Sequence, residues 1–420
     1  MGDENGPSSG TLSSFSSTET SPSSQNSSVI ISPPENDTEV TLKVAVYTPP
    51  FAYTNSSAND TLRTIKIFVE DVDNPSIKIE SSLSLYHVPV VMVHGIWSTP
   101  NASWINSTFQ SNMERAGYDV YLANYSEHNA ETFDPFYSRG IGNHGINSIR
   151  NIVDEALSAY HEKDIAASQV DIVGHSMGGL MARGFVQQPD YESQTNYMQG
   201  YIHRLITIGT PHYGAHLAGV LYNHTNEQYC VEPKNKTIWH ETKCTSSLLG
   251  PYPLKTIFKL GGLSIEEGGV EALVPGSMAY KHMCQTNISS YAIAASWAPE
   301  ADKSHKFIEY NYKNITGNPN FDLDIDGFDG TIHGNNDLQV NITSQLGGLV
   351  GQMRTTNSML PDRGEVYNNT IHYPLLLKNE QDVKSEIGAP YIQKDVILLL
   401  QSPQDKFANA IGVGSPCQIP

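Results

Sequence analysis

Val170-Asp171-Ile172-Val173-Gly174-His175-Ser176-Met177-Gly178-Gly179-Leu180 is the stretch whose reading decides the fold. Its first four residues read as a strand, and Leu180 to Gln187 reads as a helix. Between them stands a G-x-S-x-G. A turn this tight forces its central serine into a strained backbone conformation, and glycines two before and two after leave room for the crossing chain. The helix that follows offers its positive dipole end and free N–H groups to negative charge developing beside Ser176.

Outward from this stretch, apolar runs alternate with helical segments. The runs are Val88 to Val93, Val120 to Ala123, Val170 to Val173, Leu205 to Ile208, Tyr291 to Ala295 and Glu365 to Ile371. Thr108 to Ala116, Ile146 to His161 and Leu180 to Gln187 read as helices, and Ile149, Ile152, Val153, Ala156 and Leu157 recur at the spacing of one amphipathic face. Such alternation predicts an α/β fold, a mostly parallel sheet with helices on both faces. Ligands then belong at the carboxyl ends of the strands, where Ser176 falls.

Composition narrows the function. Of 420 residues, 44 are acidic and 25 basic, a net charge of −19, which argues against nucleic acid or an anionic membrane surface as partner. No apolar run reaches the ~18–20 residues of a transmembrane segment. Residues 1–38 are Ser-rich with almost nothing apolar and read as a disordered stalk. Residues 39–86 carry short alternating runs, such as Thr64 to Val69 and Ile77 to Ile79, and read as a small β-rich segment. Residues 87–420 are expected to form the catalytic domain, with a cap inserted at about 212–290.

The elbow at Gly174–Gly178, His94-Gly95-Ile96 after the strand Val90 to Val93, Thr207-Ile208-Gly209-Thr210-Pro211-His212, Asp337-Leu338-Gln339-Val340 with Ser344-Gln345-Leu346-Gly347-Gly348, and His372 together resemble the α/β-hydrolases, and within them the bacterial and archaeal lipases. The resemblance spans roughly Val88 to Phe407. It implies a serine hydrolase acting on carboxylic esters, with chain order Ser, acid, His. Among the histidines after Ser176 only His372 follows every plausible acid, so it is the expected base. Asp337 is the expected acid because the residues after it match the family's acid region, with Asp329 as the alternative. His212 reads as structural. The resemblance places the oxyanion hole at the backbone N–H groups of Met177 and Ile96.

The roughly eighty residues between Pro211 and Tyr291 exceed what a return to the sheet needs. Their apolar patches, with Phe133, Phe136 and Tyr137 as an opposite wall and Trp97 and Trp104 near the mouth, suit an acyl chain and so an ester or lipid substrate. No cofactor is required and no protein partner is implied. Asp322-x-Asp324-x-Asp326-Gly327 begins like a calcium loop, yet His333 stands where the bidentate acid belongs. A plain acidic turn fits that stretch better than structural Ca2+, and no metal is expected in the site.

Cys230 and Cys244 are spaced for a loop-closing disulfide, with Cys284 and Cys417 as a second pair, among three connectivities that four cysteines allow. Thirteen N-x-S/T acceptors, where composition would give about five, predict a glycoprotein. Met1-Gly2-Asp3-Glu4 has no export pattern, so the expectation is a secreted or surface protein whose signal or anchor is not in this sequence. An acyltransferase or polyester depolymerase with the same triad, or a non-catalytic surface-binding protein on a hydrolase scaffold, are the alternatives.

Overall fold

The computed structural model describes residues 11–16, 43–52, 62–71, 73–136, 143–232, 237–240, 251–297, 302–316, 337, 339–349, 351–353, 360–368, 370–372 and 384–412. They divide into two compact units: 1–87 with 115–118 and 398–404, and the remainder from Val88.

In the first unit, β1 (Thr11–Ser16) pairs antiparallel with β2 (Lys43–Thr48), and β3 (Leu62–Glu70) pairs antiparallel with β4 (Lys78–Tyr86). Ile65 and Leu85 form a small buried cluster with Tyr47 packed against it. Thr11–Ser16, within the Ser-rich residues 1–38, joins this unit through its ladder with β2. Its backbone finds hydrogen-bond partners on β2, and ladder bonds need no apolar composition.

The second unit is built on a seven-stranded sheet. Its strands are β5 (Val90–Val93), β6 (Val120–Ala123), β7 (Val170–His175), β8 (Ile202–Ile208), β9 (Ser289–Ser296), β10 (Gln352–Met353) and β11 (Gly364–Asn368). The order is β10-β11-β9-β8-β7-β5-β6, and every pairing is parallel. Every residue of β5 and of β7 is buried, as central parallel strands covered on both faces must be. The two-residue edge strand β10 has too little apolar pattern to be read from sequence.

The run Glu365 to Ile371, read as one strand, is two. β11 ends at Asn368, and β12 (Thr370–Ile371) leaves the sheet to pair in parallel with β13 (Lys384–Ser385). The polar Asn368-Asn369 pair interrupts the apolar run at that point. This split carries His372 away from the sheet edge and toward Ser176.

Helix α1 (His144–His161) buries Ile146, Ile149, Val153, Ala156, Leu157 and Tyr160. Asn143 caps it, its side chain accepting from the Ile146 N–H at 3.1 Å, which satisfies one of the four orphan donors of a helix start. Helix α2 (Met177–Val186) follows β7 directly and is buried at every position.

Between β8 and β9 lies the cap. It contains helices His216–Asn223, Leu254–Leu260, Gly269–Ala272 and Met278–His282, and a three-stranded antiparallel sheet of Gln228–Glu232, Thr237–His240 and Tyr252–Pro253. Cys230 and Cys284 each belong to a disulfide, and Cys244 and Cys417 lie outside the described residues. No helix among the described residues is long and apolar enough to cross a membrane.

Candidate active site

Ser176 stands between the end of β7 and the start of α2, with φ 54° and ψ −132°. That left-handed φ is strained for a non-glycine residue, and the neighbours sustain it. The Ser176 N–H donates to the Ile208 carbonyl at 2.9 Å. A Cβ on Gly178 would stand 2.3 Å from the Val93 carbonyl oxygen, and one on Gly174 would stand 2.7 Å from Gly179 Cα. The elbow therefore packs directly against the end of β5, and a side chain at Gly178 would push it off that strand while one at Gly174 would push β7 off the start of α2.

Ser176 Oγ lies 2.7 Å from His372 Nε2, and His372 Nδ1 lies 2.7 Å from Asp337 Oδ2. With Nδ1–H donated to Asp337, Nε2 is left to accept the Ser176 hydroxyl proton. Asp337 is oriented by its own loop: Oδ1 accepts the N–H groups of Gln339 at 2.9 Å and Val340 at 2.7 Å. The His372 N–H donates to the Asp337 carbonyl at 3.1 Å. Helix α3 (Ile342–Leu346), capped by Asn341, holds this loop on the sheet, because Gln345 bonds Ala295 N–H, Ala295 C=O and Val340 C=O.

On the other side of Ser176, a Cβ on Gly95 would meet Ser176 Cβ at 2.6 Å. Only a glycine lets the loop after β5 approach the serine so closely. The loop is tied down by the Trp97 N–H donating to Asn129 C=O at 3.0 Å and by Asn129 Nδ2 donating to Ser98 C=O at 2.7 Å. Among the described residues, the N–H groups of Ile96 and Met177 make no backbone hydrogen bond outside the regular elements. Tyr125 stacks on buried His94 with ring centroids 4.0 Å apart. Burial lowers His94 to about 4, so it stays neutral.

The structure adds a residue that the sequence did not single out. Glu386, fully buried, places Oε2 3.3 Å from His372 Nδ1 and 3.2 Å from His175 Nε2. It follows β13 directly and continues the register Ile371↔Ser385, so it comes level with His372. No acid after His372 fits the chain order Ser, acid, His, so a search by that order stops short of it.

Burial would depress the His372 imidazole, but Asp337 and Glu386 outweigh it and hold it up at about 10. Burial, and the negative charge of Glu386, raise Asp337 despite the pull of His372. Burial would raise Glu386 too, but His372 and His175 outweigh it and lower it. The three groups titrate as one cluster whose net effect is a more basic His372.

The remaining sequence candidates separate. His212 is buried, accepts from Arg183 Nη1 at 3.2 Å and lies 3.2 Å from Thr207 Oγ1. Burial and then Arg183 keep it well below the usual histidine range, as a neutral brace. Trp104 is wholly buried, edge-on to His175, and so belongs to the core rather than the mouth. Trp97 meets the cap, its Nε1 donating to Ser264 C=O at 2.6 Å and its ring 6.0 Å from Phe258. Phe133 and Phe136 face the cap's Tyr280 and His282. Asp329, Tyr137 and the segment Asp322 to His333 lie outside the described residues.

Two groups among the described residues bring metal-type ligand atoms together: His175, His372 and Glu386, and His128, Glu131 and His144. In the second, the two imidazoles stack 3.6 Å apart at 6°, so one ion cannot lie in both ring planes as histidine ligation requires. In the first, both His372 nitrogens already face Ser176 and Asp337.

Residues 84–286 match the family described as the PGAP1-like alpha/beta domain. The parallel sheet with its helices agrees with that description. The architecture is that of the α/β-hydrolase fold. Among solved structures this chain is similar to lipase BlEst2 of Bacillus licheniformis in mature form, at 14% identity over 80% of this chain and 98% of that one, with a TM-score of 0.37. It is also similar to phospholipase PlaB from Legionella pneumophila, at 12% identity over 75% of this chain and 60% of that one, with a TM-score of 0.44.

Proposed function

We propose that this α/β-hydrolase is a serine carboxylic ester hydrolase of lipase or esterase type, with Ser176 as nucleophile, His372 as base and Asp337 as acid. The observation that carries the reading is the line of two 2.7 Å contacts from Ser176 Oγ through His372 to Asp337, starting from a serine held at φ 54°. In the first half-reaction His372 Nε2 takes the Ser176 proton as Oγ attacks the ester carbonyl. The negative oxygen that forms is met by the N–H groups of Ile96 and Met177. Each such donor is worth roughly 10²–10³ in kcat. The carbonyl reforms, the alcohol leaves with the proton from His372, and an acyl group remains on Ser176. Water, deprotonated by His372, then attacks that acyl-enzyme and restores Ser176 with release of the carboxylic acid.

The acyl group is assigned to the apolar side of the cap, where Leu217, Val220, Ile257, Phe258 and Val274 are half-buried against the core. An uncharged ester suits a chain of net charge −19. The thirteen glycosylation acceptors and the disulfide-bonded Cys230 and Cys284 support action outside the cell, since disulfides persist in oxidising compartments.

The test is a chain-length series of p-nitrophenyl esters with Ser176→Ala as control. Turnover by the wild type, with loss of about 10⁴-fold or more in the variant, is expected. Equal rates in the two proteins would eliminate the reading.

A further inference from the structure

We propose that Glu386 is a positioning residue, a second carboxylate that holds His372 jointly with Asp337 and sustains part of the reaction when Asp337 is lost. The inference rests on the serine-hydrolase reading and extends it to a residue outside the Ser, acid, His order.

Four observations carry it. Glu386 is fully buried, and an ionised buried carboxylate costs several kcal/mol unless charge compensates it. The positive charge that faces it is that of His372 at 3.3 Å, with the imidazole of His175 at 3.2 Å on its other side. Its oxygens make no aligned hydrogen bond among the described residues, so it acts on the two rings through charge rather than as a bonded strut. The third observation is the pairing of Thr370 with Lys384 and Ile371 with Ser385, which fixes Glu386 level with His372 by backbone register. Lastly, Gly209 at φ +58° would put any Cβ 1.9 Å from Glu386 Oε2. The strand end at β8 thus leaves room for the carboxylate, and only a glycine meets both demands.

Other titratable groups around the cluster are Asp337, bonded to Nδ1 of the same imidazole, His175, whose ring lies 4.9 Å from that of His372, His94 behind His175, and Tyr391, whose hydroxyl is 2.6 Å from Thr370 Oγ1. Burial keeps His175 and His94 largely neutral and raises Tyr391. The exchange of charge therefore runs between His372 and the two acids. When His372 takes the proton of Ser176, two carboxylates rather than one stabilise the imidazolium. The consequence is that His372 loses its resting proton only at elevated pH.

The test reads the rate at which a fluorophosphonate labels Ser176, which needs no knowledge of the substrate, across pH in wild type, Glu386→Gln, Glu386→Asp, Asp337→Asn and the double variant Asp337→Asn/Glu386→Gln. In wild type the acid limb is expected above pH 7, and in Glu386→Gln it should fall by about one unit or more, since a neighbouring opposite charge shifts a pKa by 1–3 units. Glu386→Asp should stay near wild type. Asp337→Asn should lose less than about 10²-fold, and the double variant should approach the ~10⁴-fold loss of a triad without its acid. A limb unmoved in Glu386→Gln, or a double variant no slower than Asp337→Asn, would overturn the proposal while leaving the hydrolase reading intact. If Glu386→Gln does not fold, a wild-type limb below pH 6 overturns it equally. Failure of wild-type Ser176 to be labelled at any pH would instead remove the hydrolase reading itself.

Discussion

Substituting Gly95 by Ala probes whether the loop after β5 serves the reaction or only closes the fold. The added methyl would stand 2.6 Å from Ser176 Cβ, 3.1 Å from Ser176 Oγ and 3.2 Å from the His175 carbonyl oxygen. Carbon atoms settle about 3.5–4.0 Å apart, so loop or serine must move by about 1 Å. Ser176 yields poorly, held at a strained φ by the bond from its N–H to Ile208 C=O. The loop moves instead and takes the Ile96 N–H with it. Displacement by 1 Å costs about 10²-fold in a preorganised site, and full loss of one donor to the developing oxyanion about 10²–10³-fold. Hydrolysis of a short p-nitrophenyl ester should accordingly show kcat reduced by about 10²–10³ with KM little changed, because the cap's apolar wall is untouched. Circular dichroism should match wild type. Gly95 has no left-handed φ, so the penalty is steric rather than conformational. A folded variant with kcat within about threefold of wild type would refute the placement of Ile96 in the oxyanion hole.

Two further predictions concern stability and surface. Asp171 Oδ1, buried on β7, accepts from Arg204 Nε at 2.8 Å and from His203 Nδ1 at 2.9 Å, so Asp171→Ala should cost about 3–5 kcal/mol in urea unfolding by leaving Arg204 without its carboxylate. Burial would raise the Asp171 carboxyl, but Arg204 and His203 outweigh it and lower it. The contribution is therefore present above the unfolded value of about 3.9 and lost as pH falls below it, and the gap between wild type and Asp171→Ala should narrow there. Glycan mapping on protein expressed through a glycosylating secretory pathway should find Asn101, Asn106, Asn124, Asn223 and Asn287 occupied, all exposed. Asn314 should be empty, being buried with its amide donated to Tyr310 C=O at 2.8 Å. A glycan at Asn314 would contradict the packing of its helix.

What was legible in the sequence follows from how far each residue's position depends on its neighbours in the chain. The elbow at Gly174–Gly178 and the exit at His94-Gly95-Ile96 are local devices, a strand end, a turn and a helix start, and their residue types state the geometry outright. His372 was legible for a different reason, since chain order left one histidine after the acids. Asp337 was legible only through the likeness of the residues after it to the family's acid region, and those residues place its carboxylate: Gln339 and Val340 donate to Oδ1, and Gln345 holds Val340 through its carbonyl. The cap's existence could be read from length, but not its three-stranded sheet, whose strands of two to five residues carry no periodicity.

Glu386 marks where sequence reasoning stops. It reaches His372 because a two-residue parallel pairing, Thr370–Ile371 with Lys384–Ser385, sets two distant segments side by side, and nothing in a run so short announces its partner. Its other constraint is a vacancy, the missing side chain of Gly209, on a strand end far away in the chain. A glycine after a parallel strand has many uses, and a buried glutamate is costly without a cation, so neither residue explains itself alone. Together with His372 they do: that ring becomes positive when it takes up the Ser176 proton, and the carboxylate beside it stabilises the charge so formed. A group that only braced the fold could have been an amide or an aliphatic side chain of similar volume, at lower cost of burial. The charge is what ties Glu386 to the chemistry at Ser176 rather than to the packing around it.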